Sequence, residues 1–499
     1  MVQISVAPQL PVKSIPQLFR EAGYHVSNGS GAASTKNGKT DYNFVTKDKM
    51  YDGGNWREAL KADKPFFAQI QLKGGKNRNK RQSEVDPAAI KLPPYYPDHP
   101  VLREDWSEYL KSWIDQDRQV GAIMDTLKQA GAANKTVVFF LTDHGVSHAR
   151  GKQFLYEEGI RVPLIVKFPD GRAAGSVRDD LAIHLDLAAS SLALAGIEIP
   201  ERVQGMDLFA PDYRPREQIF SARDRCDETV EFIRAVRTKR FKYIRNFLSH
   251  LPHLQPNQYK DGKPITKTIR QLHVAGELND LQSRLLVAPR PREELYDLTA
   301  DPHETVNLAT NPMHAKTLSS LRNSLTDWMI ESRDLGVIPE PLLEDFGRDS
   351  GNKYAVLQSK LARGTVPNLL RTLEAVAAGE TSQLNDPSPS IRYWAATRAG
   401  IKKDQSTAPK LRRLLIDEWE PVRIAAALAL CRLGKQEDRA IDLLAGMVDS
   451  RNHITGMYAI RAIEWSGIRN EATRVASERA AKSQYEFTRR IGRRLQSEH

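Results

Sequence analysis

Cysteine is nearly absent: 499 residues contain two, Cys226 and Cys431, far apart in the chain. A disulfide framework and a cysteine metal cluster are both excluded. Long apolar runs are missing as well, with nothing near the ~20 residues that a membrane-spanning helix requires. Aromatic residues are sparse at 7% and do not interleave the basic runs, and no helix-turn-helix or zinc-finger spacing occurs. The usual nucleic-acid readers are therefore not expected. The opening "MVQISVAPQLPVKS" shows no basic start, continuous apolar core or small-residue cleavage site, so no secretory signal is readable in it. Acidic charge is in deficit: 62 Asp and Glu against 73 Lys and Arg give +11, with basic runs at residues 73–81 and 489–494. That excess suits an anionic partner such as a sulfated sugar, and a solvated basic surface explains it equally well.

What is present is alternation. "KSIPQLFREAGY" reads as a helix, "FFAQIQL" as a strand, "WSEYLKSWIDQDRQVGAIMDTLKQAG" as a long helix stopped by Gly131, and "TVVFFLT" as a strand covered on both faces. "RVPLIVKFP" follows as a strand, "HLDLAASSLALAGI" as a helix and "FIRAVRTKRFKYIRN" as a hairpin. The fold class is α/β, a sheet flanked by helices, followed by a small antiparallel subdomain. Beyond residue 370 the pattern becomes repetitive. Asp386, Asp417 and Asp449 open segments spaced by 31 and 32 residues, with Ile391, Val422 and Ile454 in phase, and Ala396, Ala427 and Ala459 in phase. Small residues at a recurring inner position let paired helices stack as an all-α solenoid of HEAT-like repeats. The expected divisions are 1–210, 211–345, a helical linker over 346–385, and repeats over 386–499.

Chemistry concentrates after the covered strand, in "TDHGVSHARGKQFLYEEG". The carboxyl ends of strands in open α/β sheets are where ligands bind. Asp143 and His144 there can turn a carboxylate and an imidazole toward one divalent cation, although two ligands alone do not hold a metal. His148 and Lys152 could then neutralise a tetrahedral anion. A sulfate or phosphate ester needs that combination of cation polarisation and proton donation.

"TDHG", "H.RGK" and "YEEGIRVPLIV" resemble the second metal-and-sulfate segment of the type I sulfatases, in the alkaline-phosphatase superfamily. "NGKTDYNF", "HLDLAASSLALAGIEIPERVQGMDLF", "SARDRCDETVEFIRAVRTKRFKYIRNF" and "ELYDLTADPHETVNLA" resemble further segments of that family in the right order. The resemblance is closest to heparan N-sulfatase-like and bacterial glycan sulfatases. It implies a sulfuric ester hydrolase acting on sulfated carbohydrate in the periplasm or outside the cell, with the repeats as a possible protein-binding surface. Asp143 and His144 would be calcium or magnesium ligands, Lys152 a sulfate contact, His148 an acid or sulfate contact, and Lys39 a lysine near the nucleophile. Arg223 and Arg225 would line the substrate pocket, or else join a strand-edge salt-bridge network with Asp224.

Relative to that family, an opening strand with two Asp ligands and the Cys-x-Pro/Ala-Ser-Arg segment, whose cysteine becomes formylglycine, are not found in these 499 residues. Cys226 stands in "CDETV" and Cys431 in "CRLGK", neither of which fits. The expectation is an N-terminally shortened sulfatase that does not turn over alone, its central sheet left with an open edge or slot. The alternative is a non-catalytic protein that binds sulfated glycan or a protein partner on the same fold.

Overall fold

The computed structural model describes residues 12–42, 44–46, 48–74, 85–359, 366–371, 373, 382–434 and 437–498. Most of the basic run at 73–81 lies outside them. The first layer is a small mixed sheet. Strand β1 (His25–Ser30) pairs in parallel with β3 (Phe66–Gln71) and antiparallel with β2 (Lys36–Asn37). Successive β3 side chains alternate between faces. Phe67 packs with Phe19 of α1 (Ile15–Glu21) and Leu192 of α3 (His184–Leu194), whereas Phe66, Ala68 and Ile70 pack against Ile123, Met124 and Leu127 of α2 (Pro100–Gln129). Helices therefore cover both faces, as the alternating pattern requires. Helix α2 begins with Pro100 in its first turn, and the chain turns out of it at Gly131, which holds φ of 66°.

Strands β4 (Val138–Leu141) and β5 (Leu164–Lys167) form a separate antiparallel pair. Val138 joins the same apolar cluster on α2 as β3 does, yet no ladder joins β3 to β4 among the described residues. The strand expected to be covered on both sides is instead half-buried along its length, and Ile165 beside it is 61% exposed. The cause is that β4 has a strand neighbour on one edge only among the described residues.

The second sheet is a four-stranded antiparallel meander, β6 (Gln218–Arg223), β7 (Ile233–Thr238), β8 (Phe241–Asn246) and β9 (Glu293–Asp297), and it contains the expected hairpin. Its two faces go to different cores. Ile233, Ala235, Ile244 and Tyr296 face Tyr96, Phe154 and Tyr156 of the α/β part. Val236, Tyr243 and Leu295 face Leu325 and Met329 of α4 (Ala315–Glu331) and the helices beyond.

Those helices are α5 (Glu340–Asp349), α6 (Pro389–Lys402), α7 (Ala408–Leu414), α8 (Glu420–Arg432), α9 (Glu437–Met447), α10 (His453–Ser466), α11 (Glu471–Ala481) and α12 (Glu486–Gln496). The tail after Arg469 forms the last two of these helices. Ile391, Val422 and Ile454 are buried, and Ala396, Ala427 and Ala459 are 0% exposed. The in-phase residues thus form the seam of the solenoid. Gly400 explains how tightly α6 and α8 approach: a Cβ there would sit 2.7 Å from the Ala429 Cα. One apolar core runs unbroken from Val236 in the sheet to Leu495 in the last helix. No helix among the described residues is long and apolar enough to cross a membrane.

Candidate functional site

The chain leaves β4 at Thr142 and coils into a tight loop over residues 142–160. Gly145 N–H donates to the Gly159 carbonyl at 2.9 Å, and Lys152 N–H to the Val146 carbonyl at 2.7 Å. A Cβ on Gly145 would meet the Glu158 carbonyl oxygen at 2.0 Å, and one on Gly151 the Val146 oxygen at 1.9 Å. The glycines of "DHG" and "RGK" are thus required by backbone crossing over backbone. Gln153, next to Lys152, holds φ of 82°, a conformation that non-glycine residues adopt only when their surroundings force it.

The surroundings are a clamp. Arg150 lies between the rings of Tyr95 and Tyr156, 4.2 and 3.8 Å from their centroids, and donates to the carbonyls of His303 and Glu304. Glu304, 1% exposed, accepts the Glu157 N–H at 2.7 Å and the Lys242 ammonium at 2.8 Å. The "ADPHET" turn after β9 therefore fixes the loop from below.

The structure places Asp143 and His144 together at the loop's entrance. The Asp143 carboxylate is 81% exposed, and its Oδ2 stands 3.5 Å from His144 Nε2. His144 Nδ1 lies 2.7 Å from the Gly145 carbonyl, to which its N–H donates. That chemistry suits a cation, but no cluster of three or more His, Cys, Asp or Glu side chains accompanies the pair among the described residues. Two ligands fit; they do not hold a cation alone. His148 sits beneath the loop, fully buried, with Nε2 2.9 Å from Asp105 Oδ2 of α2 and its ring 4.3 Å from that of Trp106. Lys39 is on the surface with its side chain 80% exposed, 3.7 Å from Asp41.

Lys152 and Arg223 do come together, and two lysines invisible to the sequence reading join them. Phe154 carries the Arg223 guanidinium at 4.7 Å and the Lys260 ammonium at 5.2 Å; Tyr259 carries Lys152 at 5.3 Å and Lys263 at 4.5 Å. Four basic side chains therefore stand on two aromatic rings. Lys260 reaches the His148 carbonyl at 2.5 Å, and Lys263 the Ser147 carbonyl at 2.5 Å and its hydroxyl. Burial, then the Lys263 charge, pushes the Lys260 amine well below its ordinary range. Burial likewise lowers Arg223, whose Nε and Nη1 make no hydrogen bond among the described residues. Arg225, three-way bonded to both Glu340 carboxylate oxygens and the Asp227 carbonyl, instead faces the repeats in the salt-bridge network that the sequence left open. Cys226 is beside Arg223 and Lys152, yet burial and Asp227 push its thiol up, and Cys431 is buried inside α8. Neither cysteine is poised as a nucleophile.

Lys260 and Lys263 come from "NQYKDGK", over 100 residues after the motif. Asn257 caps that turn by accepting the Lys260 N–H at 3.0 Å, the one local signal that a short helix starts there.

Comparison with known proteins agrees with these parts. Residues 1–197 match the sulfatase family, residues 144–285 the C-terminal family of N-sulphoglucosamine sulphohydrolase, and residues 380–490 HEAT repeats. An ulvan-active sulfatase of Formosa agariphila is 30% identical over 379 residues, 67% of this chain and 62% of the relative. The human N-sulphoglucosamine sulphohydrolase is 28% identical over 278 residues, 52% of this chain and 55% of the relative. A solved protein in complex with its substrate D-glucosamine-2-N,6-O-disulfate superposes with a TM-score of 0.44 at 14% identity, over 66% of this chain and 84% of that one. The chain thus spans about 55 to 62% of the length of these two curated relatives. Residues 1–197 are thus similar to the sulfatase family, residues 144–285 to the C-terminal family of N-sulphoglucosamine sulphohydrolase, and residues 380–490 to HEAT repeats.

Proposed function

We propose that this chain binds the sulfate group of a sulfated carbohydrate as part of a sulfuric ester hydrolase. The carrying observation is the set of four basic side chains on Phe154 and Tyr259, with the buried Arg223 guanidinium still short of hydrogen-bond acceptors. A buried cation in that condition is stabilised by an anion that accepts its N–H groups, and a sulfate offers several acceptor oxygens at once. Lys152, Arg223, Lys260 and Lys263 are the sulfate contacts, and His148, held by Asp105, positions the loop from below. Asp143 and His144 supply two ligands of a calcium or magnesium ion, which would polarise the ester oxygens when bound. Formylglycine fits neither Cys226 nor Cys431, whose thiols are partly or fully buried. Sulfated glycan substrates and the family's usual location point to the periplasm or the outside of the cell, and the outer faces of the repeats are open to a protein partner.

A non-catalytic glycan-binding role on the same fold is the second reading. Calorimetric titration with N-sulfated and desulfated glucosaminides tests the shared core of both. Binding of the sulfated form alone, weakened about tenfold or more by Arg223→Met, is expected. Equal binding of the two sugars overturns it. Sulfate release by a chain extended to include an in-frame Cys-x-Pro/Ala-Ser-Arg segment, and not by this chain, separates the enzyme from the binding protein.

A further inference from the structure

A second cavity, of about 290 Å3, lies on the other side of the antiparallel sheet, where the loop over residues 224–232 meets α5, α6, α8 and α10. Its walls are mostly apolar and aromatic, including Phe232, Trp394, Tyr458 and Trp465. A volume near the lower end of the ~300–1,000 Å3 of small-molecule sites, with a few polar groups converging on it, is large enough for a small ligand.

The polar groups can be accounted for one by one. Asp224 lies 2.9 Å from Arg234, Arg225 is bidentate with Glu340, Glu231 takes Arg290 at 2.5 Å, and Lys353 is bonded to Glu344. Each charge on the wall is thereby neutralised, with the exception of Arg432. Arg432, in the last turn of α8, has no hydrogen-bond or ion-pair partner among the described residues, and the same holds for the partly buried His250. Burial lowers Arg432, and no carboxylate among the described residues offsets it. His250 is pushed down to about 3, first by burial and then by Arg432, Arg290 and Arg398, so it is neutral and sits in a positive field. A guanidinium kept inside an apolar chamber without a counter-charge is costly, and an entering anion relieves that cost.

We propose that this cavity between the sheet and the repeats binds a small amphipathic organic anion, a carboxylate or sulfate group on a one- or two-ring body. The acid group lies against Arg432, with the His250 imidazole and the Tyr393 and Thr397 hydroxyls beside it, and the ring lies among Phe232, Trp394 and Trp465. The site is separate from the one formed by Arg223 and Lys152, which faces the opposite side of the sheet.

The test uses the full chain and 2-naphthoate as the probe, with 2-naphthalenemethanol as its neutral counterpart, read by calorimetry and by quenching of tryptophan emission. The anion is expected to bind and the alcohol to bind at least about tenfold more weakly. Arg432→Met should weaken 2-naphthoate by a similar factor while leaving the alcohol unchanged, Arg432→Lys should restore part of the loss, and Arg223→Met should change nothing. Thr397→Phe, which fills the chamber and keeps Arg432, should abolish binding of both probes, so the site remains testable if Arg432→Met fails to fold. Undetectable binding of 2-naphthoate at millimolar concentration overturns the proposal. So does equal affinity in the wild type and in whichever of Arg432→Met and Thr397→Phe folds. 2-Naphthalenesulfonate in place of 2-naphthoate distinguishes a sulfate-like from a carboxylate preference.

Discussion

Glu157 shows how single residues maintain the site. Its side chain is 10% exposed, with Oε1 3.0 Å from Arg237 and 2.7 Å from Lys242. Burial pulls the carboxyl up, but Lys242 and Arg237 more than reverse this and hold it at about 2. A folded-state value below the ordinary one means that the stabilisation is complete above about pH 4.5 and is lost as the pH falls toward about 2. Thermal unfolding measured across that window should show a shallower acid loss for Glu157→Gln than for the wild type; identical slopes would assign the acid sensitivity to other carboxylates, such as Glu294. Residues of this kind also mark where sequence reading stopped. Asp143, His144 and Lys152 were legible because they lie in one short motif. The Arg223 guanidinium was legible only as one of two alternatives, since a strand-end arginine reads alike whether it faces a ligand or a carboxylate. Lys260 and Lys263 reach the site through a turn that packs back on the loop, and nothing local to "QYKDGK" announces that return.

At the scale of elements, the loop and the helices place opposite demands on glycine. Gly151 lies where its own Cβ would overlap the Val146 carbonyl, and Gly446, exposed in α9, has nothing within 4 Å of that position. Gly151→Ala should cost about 1–3 kcal/mol, the usual price of overpacking, and should also weaken binding of a sulfated sugar by displacing Lys152. Gly446→Ala should stabilise by about 0.5–1 kcal/mol, because alanine loses less backbone freedom in a helix. Denaturant midpoints for the pair check both signs, and a neutral Gly151→Ala would mean that the loop relaxes at no cost. The elements themselves were largely legible, because periods of two and of 3.6 are strong signals over six or more residues. What the pattern missed was coverage. The run "VVFFL" is as apolar as a fully enclosed strand, yet β4 is half-buried, because burial depends on neighbours that a strand's own sequence does not name.

Over the whole molecule, the antiparallel sheet acts as a wall with the loop after β4 on one side and the repeats on the other, and Glu228 joins the two. It is 0% exposed, and its Oε1 accepts the Gln258 N–H at 2.6 Å, at the start of the turn that carries Tyr259, Lys260 and Lys263. From the repeats, Arg490 and Arg494 of α12 approach the same carboxylate at 3.3 and 3.8 Å, and Arg461 of α10 bonds the Glu228 carbonyl. The last repeats thereby hold the far end of the turn that presents two of the four basic side chains of the site. Glu228→Gln keeps an acceptor for the Gln258 N–H but removes the charge that the two arginines share. It should destabilise the docked form by about 1–3 kcal/mol. Hydrogen exchange should then quicken over both 258–263 and 486–496, and affinity for a sulfated sugar should fall although no substituted atom touches the ligand. If exchange quickens in α12 alone and affinity is unchanged, the wall insulates the site, and the repeats serve stability without positioning Lys260 and Lys263. If both change together, the solenoid is part of the binding site's support, and a sulfatase domain separated from its repeats would bind its glycan more weakly than the joined chain.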